Sequence, residues 1–178
     1  MNKPALIILI VILAGGWAIS SSGQQNPQGP PYISSSKATY KPLGAVESIP
    51  IYKNVGKTTL LVFWASWCMP CLQEVPQLNH LHNLYGASGL NILAMNMDES
   101  SDENVALLVK KFEIIYPVAI PTPELVRDFK VHAIPLTLLY GPNGVLEQSW
   151  LGPVSVEELE RQIKKVLPAK PEVDKVKS

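Results

Sequence analysis

The stretch VFWASWCMPC, Val62–Cys71, holds both cysteines of the chain, two of its four tryptophans, and a proline set directly against the second cysteine. Upstream of the cysteines, TTLLVFWA (Thr58–Ala65) is an unbroken apolar run with valine and aromatics, the pattern of a strand buried on both faces. Downstream, apolar residues recur at Leu72, Val75, Leu78, Leu81 and Leu84, which predicts a helix from Cys68 to about Tyr85. Pro76 falls inside that helix, where its missing amide proton is expected to bend the axis. The two thiols therefore stand at a strand-to-helix junction.

A thiol at such a junction has a mechanical reason to be there. Cys68 lies where unpaired helix amides and the helix dipole favour a thiolate, and Cys71, one turn later, is close enough to close a disulfide. Only the thiolate attacks, so Cys68 reads as the nucleophile. Cys71 reads as the resolving thiol that displaces a substrate from a mixed disulfide. A purely structural disulfide competes with this reading, yet it would close too few residues to restrain the unfolded chain much. Zinc would need two further ligands, and the candidates are His80, His82 and His132. His80 and His82 are i and i+2 on the predicted helix and point apart, so all three are read as surface or helix-end residues. No metal and no cofactor is expected beyond the Cys68/Cys71 couple.

Further out, the pattern alternates strand and helix. LNILAMNM (Leu90–Met97) predicts a strand, and SSDE (Ser100–Glu103) a capped helix start followed by Val105, Leu108, Val109 and Phe112 at helical spacing. YPVAI is a short strand, and Pro123 opens a short helix through Phe129. PLTLLYGPNGVLEQSWLG reads as a hairpin around Pro142, Asn143 and Gly144. SVEE (Ser155–Glu158) caps a last helix whose Leu159, Ile163, Val166 and Leu167 face inward. The order β-α-β-α-β-α-β-β-α predicts an α/β fold with a mixed sheet, parallel in its core, and helices on both faces.

The 178 residues are 47% apolar and formally neutral, with 15 basic and 15 acidic residues interspersed. No basic stripe offers a phosphate footprint, so no nucleic-acid partner is expected. Residues 1–20 form an N-terminal membrane anchor or signal segment, with Lys3 followed by an uncharged run from Ala5 to Ile19. As a helix this run reaches about 22 Å, short of the ~30 Å hydrocarbon core, so length alone leaves anchor and cleaved signal both open. No cysteine follows LAGG, which excludes lipoprotein modification. Residues 21–50, rich in Ser, Gly, Gln and Pro, read as a flexible tether, 51–168 as the domain and 169–178 as a frayed tail.

With VFWASWCMPC and HAIPLTLLYGPNG in place, the chain resembles the thioredoxin superfamily, and within it the membrane-tethered TlpA/ResA/DsbE type of bacterial thiol:disulfide oxidoreductase. The similarity runs from about Lys57 to Leu167. It implies a thioredoxin-like three-layer fold, with a cis-proline at Pro135 facing the cysteines. It also implies that Ile134 offers its backbone to an extended substrate segment, with Trp67 and Pro70 flanking the nucleophile and Trp64 in the core. Ordinary thioredoxins carry a buried Asp where this chain has Val62, and CLQEVP resembles the subgroup pattern that puts a Glu after the second cysteine. Glu74 is i+3 from Cys71 and is expected to supply the proton transfer that the missing Asp cannot. The segment Ser101–Phe129 resembles the subgroup's insertion before the proline loop.

Departures from the pattern are Leu136 after Pro135, Met69-Pro70 between the cysteines, and a region before Lys57 without the familiar first strand and its glycine-containing hairpin. The function implied is an extracytoplasmic reductase, held at the bacterial cytoplasmic membrane by a single N-terminal span. It would take electrons from a membrane thiol transporter and pass them to disulfide-containing proteins, with apocytochrome c as a candidate substrate. A disulfide oxidase or isomerase is the alternative, disfavoured because Met69 supplies neither the charge nor the hydrogen bond that a His there gives to oxidising relatives. A copper chaperone of this fold would use CxxxC and a distal His. A peroxidase would carry Thr where Ala65 stands.

Overall fold

The computed structural model describes residues 32–168. The expected anchor, the first part of the expected tether and the expected tail lie outside the described residues. Strand β3 (Thr58–Trp64) is buried at every position because it runs through the middle of the sheet. It pairs in parallel with β4 (Leu90–Asn96) on one side and antiparallel with β6 (Leu136–Tyr140) on the other. With β1 (Thr39–Pro42), β2 (Ile49–Pro50), β5 (Val118–Pro121) and β7 (Leu146–Leu151), it forms a mixed sheet of order β2-β1-β5-β4-β3-β6-β7. Alternate side chains of β3 feed two apolar clusters, Leu60, Val62 and Trp64 into one and Leu61 and Phe63 into the other. Helices α1 (Met69–Tyr85), α2 (Asp102–Lys111) and α4 (Val156–Val166) pack on the first cluster and α3 (Pro123–Asp128) on the second. The expected mixed sheet, parallel in its core with helices on both faces, is therefore met.

The region before Lys57 is where the sequence reading is corrected. Residues 32–50, assigned above to the tether, are part of the domain: β1 pairs antiparallel with β5 and with β2, and Ile33, Ala38 and Tyr40 are buried. The connection between β1 and β2 does contain a glycine, Gly44, at φ +78°, a left-handed conformation that glycine adopts without a Cβ clash. The stretch showed no period because its buried residues are few and their partners, Ala119–Pro121, lie far along the chain.

Smaller corrections have local causes. The α2 cap is Ser101, one residue after the expected start, and its Oγ accepts from the Asn104 amide. Leu84 is exposed, since a step of three residues drifts around a helix of 3.6 per turn and carries Leu84 about 120° away from Leu72. The cap at Ser155 and the inward Leu159 and Ile163 of α4 are as expected. Helix α1 continues through Pro76 as one helix.

Candidate redox-active site

Strand β3 delivers the chain to the helix α1 through Ala65, Ser66 and Trp67, and Cys68 is the residue that caps α1. Its amide donates to the Ala65 carbonyl at 3.1 Å and its carbonyl accepts from Leu72 at 3.2 Å. The Cys71 amide points at the Cys68 Sγ, 3.4 Å away, which is how a helix N-terminus offers partial positive charge to a thiolate. Cys68 and Cys71 are joined by a disulfide, S–S 2.01 Å and Cα–Cα 5.3 Å. Both are buried in the α1-side cluster at 5% and 3% exposure, whereas neighbouring Trp67 and Met69 are 71% and 63% exposed. Pro70, in the first turn, is exposed as well.

The Ile134–Pro135 peptide is cis, Pro135 is buried, and its carbonyl accepts from the Gly152 amide at 2.8 Å. Ile134 is half-buried. With Trp67, Met97, Val131, His132 and Ala133 it lines a groove of about 350 Å³. The structure thus brings Trp67 and Ile134, 67 positions apart in the chain, to a common mainly apolar surface next to the disulfide. Trp64 is core, as expected, at 3% exposure.

Glu74 is 4% exposed. Its Oε1 accepts from the Val154 amide at 2.9 Å, while Oε2 is buried without a partner. Gln77, on the same helix, donates to the Val154 carbonyl at 3.1 Å, so two α1 side chains hold the backbone of one residue, on both sides, in the segment before α4. Burial pushes the Glu74 carboxyl above the ordinary carboxylate range, against the lowering effect of the Val154 bond. Burial also pushes the Tyr116 hydroxyl up, and the Glu74 charge adds to it, which places Tyr116 within electrostatic reach of Glu74. Val62, where ordinary thioredoxins carry Asp, is buried in the same cluster as both cysteines. His80 and His132 are exposed, and His82 is half-buried in the last turn of α1, its ring edge-on to Tyr116.

Sequence reasoning did not single out Met97, Asp98 or Val154, which reach the site from the ends of β4 and β7. Nothing local marks them, because Met97 and Asp98 are placed by the register that brings β4 beside β3, and Val154 by the return of the chain from β7 across α1.

A disulfide-bonded Cys-x-x-Cys pair at the start of the helix that follows a central strand, with a cis-proline leading into the adjoining strand, defines a thioredoxin-type architecture. A family model described as thioredoxin-like matches residues 56–146, just over half of the chain, and the chain belongs to that family. Among curated relatives, the thiol-disulfide oxidoreductase ResA of Bacillus thuringiensis subsp. konkukian is 35% identical over 114 residues, which make up 64% of this chain and 65% of that protein. The match thus spans just under two thirds of that relative's length. Among solved structures, StoA from Bacillus subtilis is similar at a TM-score of 0.59 and 27% identity, over 70% of this chain and 93% of that one. A Chlorobium tepidum protein proposed as the thiol:disulfide interchange protein DsbE is similar at a TM-score of 0.64 and 28% identity, over 75% and 96% of the two chains.

Proposed function

We propose that this chain is a thiol:disulfide oxidoreductase that reduces disulfides of protein substrates outside the cytoplasmic membrane. The observation that carries the reading is the Cys68–Cys71 disulfide at the N-terminus of α1, its sulfurs buried but flanked by exposed Trp67 and Met69. In the reduced state the Cys68 thiolate attacks one sulfur of a substrate disulfide, forming a mixed disulfide and releasing the other substrate sulfur as a thiolate that takes up a proton. The Cys71 thiolate then attacks the Cys68 sulfur. The mixed disulfide breaks, the second substrate thiol leaves, and the Cys68–Cys71 bond forms, so two electrons have passed to the substrate. Glu74, with its raised affinity for a proton and one turn from Cys71, is the residue we assign to accept the Cys71 proton. Trp67, Pro70, Ile134 and Pro135 form the surface against which the substrate segment lies.

The names of the relatives support this activity, and the uncharged run Ala5–Ile19 behind Lys3 supports a location across a bacterial cytoplasmic membrane with the domain on the outer side. Among the described residues no helix is long and apolar enough to cross a membrane. A membrane thiol transporter is the proposed electron donor, and apocytochrome c a proposed substrate. The test is turnover of insulin disulfides by the reduced protein. Cys68→Ser is expected to lose about a hundredfold or more of the activity, and Cys71→Ala to accumulate the mixed disulfide, whose trapped partners identify the substrate. Wild-type turnover in Cys68→Ser would sink the assignment.

A further inference from the structure

β3 and β4 pair in parallel as far as Trp64 and Asn96, and the Met97 amide donates to the Trp64 carbonyl at 2.8 Å. Beyond that bond the chain leaves the sheet and turns through Ser66 and the exposed Trp67 to reach Cys68. Apolar packing does little for so exposed a turn; a carboxylate holds it. Asp98 Oδ2 accepts the Ser66 amide at 2.9 Å, and its Oδ1 accepts the Ser66 hydroxyl at 2.9 Å. Asn96, only 1% exposed, donates through Nδ2 to Asp98 Oδ2 at 2.7 Å and accepts the Asp98 amide on Oδ1 at 3.2 Å. A buried asparagine thus fixes the carboxylate, and the carboxylate fixes the backbone two residues before the nucleophile.

We infer that Asp98 is a positioning residue for Cys68, adding a side-chain rung to the β3–β4 pairing that sets how the nucleophile's turn leaves the sheet. The same carboxylate places a fixed negative charge beside that turn. Negative charge disfavours the neighbouring thiolate, and a less stabilised reduced form makes the couple more reducing. This fits a reductase in which Met69 contributes no charge between the cysteines. The other titratable and charged groups around the turn are Glu99 and Arg127, which line the hollow that Asp98 also lines, Glu124 paired to Arg127, His132 at the Trp67 groove, and Glu74 on the α1 side of Cys71. None of them bonds the Ser66 amide, which is taken by Asp98.

The inference rests on the oxidoreductase reading only for its turnover arm. The test compares the full wild-type chain with Asp98→Asn, Asp98→Ala and Ser66→Ala. Three quantities are measured after reduction: the iodoacetamide alkylation rate of Cys68 at neutral pH, the equilibrium constant with glutathione, and kcat and KM for insulin disulfides. Asp98→Asn is nearly isosteric but uncharged, and is expected to raise the alkylation rate about threefold and to move the glutathione equilibrium towards the disulfide-donating side by a similar factor. Asp98→Ala releases the turn and is expected to lower kcat about tenfold with KM within about twofold of wild type. Ser66→Ala, combined with Asp98→Asn, is expected to give less than the sum of the single effects. An Asp98→Asn protein that folds normally but alkylates and equilibrates with glutathione at wild-type values overturns the inference, as does slower alkylation. If Asp98→Ala does not fold, the Asn variant decides alone. If the wild type turns over no disulfide, the oxidoreductase reading fails while alkylation still decides the role of Asp98.

Discussion

On the α3 side of the sheet, Phe129 meets Phe63 tilted and Tyr140 edge-on, each at a centroid distance of 6.3 Å, and the cluster around them is closed by Ile33 and Ile51. On the α1 side an equally buried apolar cluster surrounds both cysteines and adjoins Glu74. Among the described residues, the buried polar side-chain atoms without a hydrogen-bond partner are Trp64 Nε1, Glu74 Oε2 and His82 Nδ1, and all three belong to β3 or α1 side chains on that second side. An unpaired buried polar atom costs about 1–3 kcal/mol. One side of the sheet is therefore built for cohesion, and the other gives up part of its cohesion to hold groups that can exchange protons and electrons.

The largest test of that division is Phe129→Ala. Removing a ring at 0% exposure should cost about 3–5 kcal/mol in urea unfolding, while the glutathione equilibrium of the cysteine pair stays within about twofold of wild type. A redox shift as large as that of Asp98→Asn would show that the two sides are not independent.

Glu74→Gln tests the other side, with a smaller effect of opposite sign. Because burial raises the Glu74 carboxyl, the folded chain binds that proton more tightly than the unfolded chain does. The associated stability is fully present below the ordinary glutamate range and is lost as pH rises through the raised value. Glutamine stays neutral and keeps an oxygen for the Val154 amide. Its urea midpoint should exceed wild type above neutral pH and converge with it below about pH 4, and resolution of the mixed disulfide by Cys71 should slow. A midpoint difference that does not vary with pH would mean a solvated carboxylate.

The smallest effect is expected from Ser155→Ala. It removes the hydroxyl that accepts the Glu158 amide at the start of α4, and should cost about 1 kcal/mol with no change in Cys68 alkylation. A change there would show that any loosening of the α1 side reaches the thiols.

What the sequence disclosed follows from how local each signal is. The run Thr58–Ala65, the helical spacing after Cys68 and the cap at Ser155 are written in neighbouring residues, and each stands where the pattern puts it. Glu74 was legible as a candidate from its i+3 spacing to Cys71, but the Val154 amide that fixes its orientation comes from the segment between β7 and α4. Asp98 was illegible for the same reason, since its contact with Ser66 exists only once β4 has paired with β3. Residues 32–50 misled because Ser- and Pro-rich composition says little when a strand is four residues long and its register is fixed by Ala119–Pro121.

That N-terminal stretch also bears on how the molecule coexists with copies of itself. β5 is a parallel strand with β4 on one side, and β1 occupies its other side from Tyr40 to Pro42. Without β1, a row of backbone donors and acceptors would face outward, a template on which a second chain could add its own strand. β1 in turn is covered by β2, which is two residues long and ends in Pro50. A strand so short, closed by a residue with no amide proton to give, offers little for an intruding strand to pair with. The segment expected to be slack instead closes one edge of the sheet with a strand too short to be extended.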